Sequence, residues 1–210
     1  QGVDYGLTLQ NDVGEPFAKR GNRPYDFTSF HLALGRNGDR HQLLLGDYRV
    51  KWGQGLLIGQ QFLQSPLLLL EQSLWSTARL SPHTGADEVQ FLRGAAYAFR
   101  NRRWLWQVWA SHHRLDGRNE GDTVRAFLHS GLHRSLRELS QRHVVGMFTL
   151  GSRLEWHNSY GFIGINTYTA QYDKFISPLP KRYNQHYLHG QSARGVSVDY
   201  GRMGRKWTLV

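Results

Sequence analysis

The chain has no cysteine and only two methionines in 210 residues. Without thiols there are no disulfides, thiolate nucleophiles or zinc–thiolate centres, an absence that fits a cell-surface location. A long apolar run is missing too. The greasiest stretch, Leu67 to Leu70 after Pro66, falls far short of the 18 or so residues that a spanning helix needs. A spanning barrel survives that exclusion, because its strands need only about ten residues each and alternate apolar with polar side chains. Such alternation keeps mean hydropathy low, here −0.55. No initiator methionine, charged leader or apolar leader precedes Gln1, so the sequence reads as a mature product or a fragment.

Acid is scarce as well. Sixteen Asp and Glu face 26 Lys and Arg, giving a net charge of +10. That excess points to polyanionic partners, nucleic acid or lipopolysaccharide phosphates. The competing account is that the arginines are simply solvated in loops and lumen. With 40% hydrophobic and 13% aromatic residues, the chain has ample material for an ordered structure.

What is present is period-two alternation. Val3, Tyr5, Leu7 and Leu9 alternate with Asp4, Gly6, Thr8 and Gln10, the pattern of a strand with one apolar and one polar face. A second strand runs from about Asp26 to Gly35, and Asn37-Gly38 turns it tightly into a third, His41 to Val50, because both turn residues tolerate positive φ. Residues 51–87, rich in glycine at the start and broken by Pro66 and Pro82, form a long excursion. Strand four, Glu88 to Arg100, turns at Asn101-Arg102 into strand five, with Trp104, Trp106, Val108 and Ala110 on one face and Gln107, Ser111 and His113 on the other. A second excursion, 117–142, contains Ser135-Leu136-Arg137-Glu138, a pattern that caps a short helix. Strand six sets Val144, Phe148, Leu150, Leu154 and Trp156 against Thr149, Arg153 and Glu155. It reverses at His157 to Ser159 into strand seven, Tyr160 to Asp173. After a third long loop come strand eight around Val196, Val198 and Tyr200, a turn at Gly201 to Arg205, and a ninth strand at Trp207 and Leu209.

Connections therefore alternate long and short, as in an outer-membrane barrel with short periplasmic turns and long outer loops. This predicts an all-β, antiparallel up-and-down transmembrane β-barrel, with 1–210 forming one segment of a larger barrel. Trp104, Trp106, Trp156, Tyr160 and Trp207 all flank short turns, where an aromatic girdle at one membrane interface belongs. A soluble sandwich or lipocalin-like barrel is the competing fold, but it gives no reason for Gly46, Gly94, Gly151, Gly164, Arg and Asp to gather on the polar faces. Nine strands cannot close a standard even-numbered barrel, so more chain or other subunits are expected to complete the wall.

Several strings resemble one family of large Bacteroidota outer-membrane proteins, which carry helix-hairpin-helix repeats related to competence DNA-binding proteins ahead of a barrel. The matching pieces are Asn11 to Phe17, Tyr25 to Leu32, Leu45 to Leu56 with its G-D-Y-x-x-x-W-G-Q-G-L core, Ser130 to Ser135 with Glu138, and Asn166 to Thr169 followed by Pro178-Leu179-Pro180. The resemblance implies a barrel fold and an outer-membrane location. The family's DNA role belongs to its helix-hairpin-helix part, and no such repeat is visible in these residues.

The chemistry-bearing patterns are fewer. Gly53 to Gly59 lacks the Lys-Ser/Thr ending of a phosphate loop and reads as a strand end or kink. His112 and His113 are adjacent and so point to opposite faces of a strand, which works against a shared metal. His133 and Ser135 have the His-x-Ser spacing of outer-membrane phospholipase A, but Ser135 doubles as a helix cap and no orienting Asn is evident. No catalytic residue, cofactor or metal is assigned. The arginines carry the functional expectation: Arg93, Arg114, Arg118, Arg125, Arg134, Arg137, Arg142 and Arg153 are candidates for contact with a polyanion, those inside strands facing the lumen. The sequence thus predicts a non-enzymatic outer-membrane barrel for DNA or other macromolecular transport, contacting lipid, lipopolysaccharide and nucleic acid. The alternatives are an accessory barrel subunit of a larger envelope or secretion complex and, more remotely, a phospholipase-like esterase.

Overall fold

A computed structural model describes residues 2–13, 25–52, 55, 57–58, 78–85, 87–88, 90–128, 130–131, 133–182, 184, 187–203 and 208–209. The alternating segments form strands: β1 (Val3–Gln10), β2 (Phe27–Leu34), β3 (His41–Lys51), β5 (Leu92–Arg100), β6 (Trp104–Leu115), β9 (Val145–Asn158), β10 (Gly161–Ile176), β11 (Gly190–Met203) and β12 (Thr208–Leu209). These nine are hydrogen-bonded in sequence order, each antiparallel to the next. They are the nine read from the alternation.

Three shorter strands lie in stretches read as loops. β4 (Arg79–Pro82) pairs with β3. β7 (Gly117–Glu120) and β8 (Thr123–Phe127) form a hairpin, and β8 also runs parallel to the end of β10. The one helix among the described residues, α1 (Leu136–Ser140), starts at Ser135, whose side chain accepts from the Glu138 amide while Glu138 reaches back to the Ser135 amide. The sheet is mostly antiparallel, its nine main strands running up and down, but it is not closed into a barrel: among the described residues β1 pairs only with β2, and β12 only with β11.

Two of the short turns are built on asparagine. The Asn101 Oδ1 accepts the amides of Arg103 at 2.9 Å and Trp104 at 2.8 Å. Asn158 Oδ1 does the same for Tyr160 and Gly161, so this reversal sits one residue later than the sequence implied. Between β2 and β3 the Asp39 amide donates to the Arg36 carbonyl across Asn37-Gly38. The turn after β11 lies partly outside the described residues, as do Trp207, Gly14 to Phe17 and most of Gly53 to Gly59.

The two faces of the sheet reverse the polarity of an ordinary soluble protein. Its outer face is apolar and exposed: Tyr5 is 79% and Val196 70% exposed, joined by Leu7, Phe30, Trp104, Trp106, Leu150, Leu154, Trp156, Ile163, Ile165 and Val198. Its inner face is buried, yet it carries Gln107, Ser111, Thr149, Glu155, Asn166 and a wholly buried Arg153.

An apolar cluster covers one part of the inner face, and it exists because β3 bends. Gly46 adopts φ +90°, and a Cβ there would stand 2.4 Å from the Phe30 carbonyl oxygen, so only glycine fits. Pairing with β2 ends at Gly46; from Tyr48 onward β3 takes β4 as its partner. The turned-in end brings Tyr48, Val50, Trp52, Ala78 and Leu80 onto Leu44, Ala96, Leu105 and Trp109. Leu57 continues to β11, where it would lie 2.5 Å from a Cβ built on Gly195.

Candidate functional site: a charge-paired inner face and a loop-side cavity

The G-D-Y string explains itself at this bend. Asp47 fills the gap left where β2 and β3 part, its carboxylate accepting the Phe30 amide at 3.2 Å and Arg93 at 2.6 and 2.8 Å. Arg93 also donates to the Thr28 carbonyl, bridging β5 to β2. Tyr48 donates its hydroxyl to the Ala110 carbonyl at 2.8 Å from a fully buried position.

A second ionic knot crosses β9, β10 and β11. Arg153 Nη1 donates to Asn166 and to Asp199, each at 2.6 Å; Nη2 donates to Asp199 at 2.8 Å and to Glu155; Nε donates to Glu155 at 3.1 Å. Those five bonds use all five guanidinium N–H groups. Gly164 leaves room for the group, since a Cβ there would fall 2.5 Å from Nη2.

The eight candidate arginines therefore divide. Arg93 and Arg153 are committed as described, Arg125 pairs with Glu120 at 2.8 Å, and Arg142 pairs with Asp26 at 2.7 Å. Arg114, Arg118, Arg134 and Arg137 are exposed at the end of the sheet that carries the long connections. Of the aromatic residues expected at a girdle, Trp104, Trp106, Trp156 and Tyr160 are exposed near the short turns, with Trp104 directly opposite Trp156.

At the long-loop end lies a cavity of about 640 Å³, with Phe91, His113 and Tyr172 among its lining and Asp26, Glu88, Asp116, His133, Arg142 and His143 around it. His133 ties this end together. Its Nδ1 meets Asp26 Oδ2 at 2.5 Å and its Nε2 meets Asp116 Oδ2 at 2.7 Å. Arg142 holds the other Asp26 oxygen, and the His143 amide donates to the other Asp116 oxygen at 2.7 Å. Burial alone would lower the His133 pKa, but hydrogen bonds to Asp116 and Asp26 outweigh it and raise it to about 9. For Asp116, burial pushes the carboxyl up, yet the bonds from the His133 ring and the His143 amide hold it below the usual range.

With both ring nitrogens on aspartates, His133 is not poised as a base for Ser135, whose hydroxyl oxygen instead accepts the Glu138 amide at 3.2 Å. The His-x-Ser pair thus lacks the geometry of a nucleophile and its base. His112 is exposed and His113 buried, on opposite faces as their adjacency dictates. A grouping that sequence reasoning missed is Asp26, Glu88 and His133, whose ligand atoms all lie within 4.8 Å of one another. Three distant loops contribute one residue each, so no local spacing could announce it.

Compared with known proteins, the chain matches no family model, no curated protein and no solved structure.

Proposed function

We propose that the chain is a wall segment of an outer-membrane β-barrel, its apolar outer face against lipid and its short turns on the periplasmic side. The observation that carries this reading is the inverted polarity, with exposed Leu, Ile, Val and Trp outside and a buried, ion-paired Arg153 inside. In water so large an apolar face would be a liability; in lipid it is the required surface. The outward apolar run on β9, Trp156 back to Phe148, extends about 27 Å at about 3.4 Å per residue. Allowing for strand tilt, that is commensurate with the roughly 25 Å apolar band of barrels. Trp104, Trp106, Trp156 and Tyr160 then mark the headgroup level.

For the role of that wall, the resemblance to helix-hairpin-helix outer-membrane proteins and the four exposed arginines at the long-loop rim favour contact with a polyanion, DNA in particular, during transport. The inner arginines add nothing to this, being occupied by Asp47, Glu155 and Asp199. An accessory subunit of a larger envelope complex is the alternative, favoured by the inner face being partly filled by Trp52 and Leu80.

Tryptophan quenching tests the membrane placement. In vesicles of brominated lipid, fluorescence should be strongly quenched, and replacing Trp104, Trp106 and Trp156 together with Phe should remove most of that quenching, whereas Trp52→Phe should not. Quenching that is absent, or indifferent to the triple replacement, would defeat the proposal.

A further inference from the structure

We infer that Asp26, Glu88 and His133 form a binding site for one divalent transition metal of the zinc class, with its remaining coordination position open to the loop-side cavity. The donor set is one imidazole nitrogen and two carboxylate oxygens, which suits borderline divalent ions and leaves a fourth position for water or a ligand. The three ligand atoms lie within 4.8 Å of one another. Metal bonds of about 2.0–2.2 Å place neighbouring ligands of a tetrahedral site about 3.3–3.5 Å apart, so closing on an ion needs shifts of about an ångström. The His133–Asp26 contact, at 2.5 Å, opens by a similar amount as the metal takes the place of the shared proton.

The surroundings already have the form of a metal centre's supporting shell. Asp116 accepts from His133 Nε2 at 2.7 Å, which leaves Nδ1 as the coordinating atom. Arg142 holds Asp26 Oδ1 at 2.7 Å, so Oδ2 is the oxygen directed at the site. Asp26 and His133 side chains are 6% and 5% exposed, so the site is not a surface patch of acids.

An independent observation comes from the cavity itself. His113 lines it and is more than nine-tenths buried, at 8% exposure, while its Nδ1 has no hydrogen-bond partner among the described residues. A buried ring nitrogen without a partner is costly. A water or ligand oxygen held on the metal's open position is a group that would satisfy it.

The test uses the whole protein in detergent micelles, stripped with a chelator and titrated with Zn²⁺ by calorimetry, with the visible absorption of Co²⁺ reporting coordination. One equivalent should bind with a Co²⁺ spectrum of low-symmetry N/O ligation. Because Asp26 and His133 also hold the loops together, the deciding variant is Glu88→Gln, which should lose that equivalent and its spectrum while keeping the folded mobility of the parent. Asp116→Asn should keep the stoichiometry but weaken affinity by roughly 10- to 100-fold. His112→Ala, outside the triad, should change neither. Absence of a saturable equivalent in the parent, or its persistence unchanged in Glu88→Gln, overturns the proposal and leaves the membrane reading untouched.

Discussion

Arg153 is a cation with no solvent contact, and its stability is borrowed wholly from Glu155, Asn166 and Asp199. Removing one partner of such a group is worse than never having built it, because the remaining charges stay buried. Arg153→Ala is therefore expected to cost about 3–5 kcal/mol, read as a lowered urea midpoint at unchanged slope in micelles. Arg153→Lys should fall between the two, retaining charge but losing the planar fork. A midpoint shift for the alanine variant worth less than about 1 kcal/mol would show that the knot is not a structural centre. That Arg153 faces inward was legible from the alternation of β9; that it meets Asp199 was not, since the two stand on different strands 46 residues apart.

The elements divide in the same way. β6 and β9 announced themselves, because twelve and fourteen residues alternate with few breaks. β4, four residues ending in a proline, and the short polar hairpin of β7 and β8 carry too little pattern to read. Glu88 and His133 reach Asp26 only through loop closure, which leaves no periodic trace. The bend of β3 is a partial case: Gly46-Asp47-Tyr48 stood out as a string, but its work, exchanging β2 for β4 as partner, appears only in the register. Gly46→Ala should be strongly destabilising for the addition of one methyl group at a buried position, about 2 kcal/mol or more, through both the positive φ and the clash with Phe30. Hydrogen exchange should show β4 losing protection first. Equal loss across β9, β10 and β11 would mean that the bend is not a separate unit.

At the scale of the whole molecule, the inner arginines Arg93 and Arg153 are paired within the sheet, while the long-loop end carries both ion pairs, such as Arg142 with Asp26, and the exposed Arg114, Arg118, Arg134 and Arg137. If that rim contacts nucleic acid, affinity for DNA should fall steeply with salt, and replacing all four arginines with Gln should flatten the slope by about 3 to 4, at about 0.9 per lost phosphate contact. An unchanged slope would return the rim to ordinary solvation and favour the accessory-subunit alternative. The inturned end of β3 has a further consequence, for the order of assembly. Leu57 rests against Gly195 of β11, and Trp52 lies under Trp109 and beside Gln107, to whose side chain its indole donates at 2.8 Å. The inturned segment thus touches the wall at both β6 and β11, so filling and wall must close on each other together, and a wall that curled first would have to reopen to admit its filling.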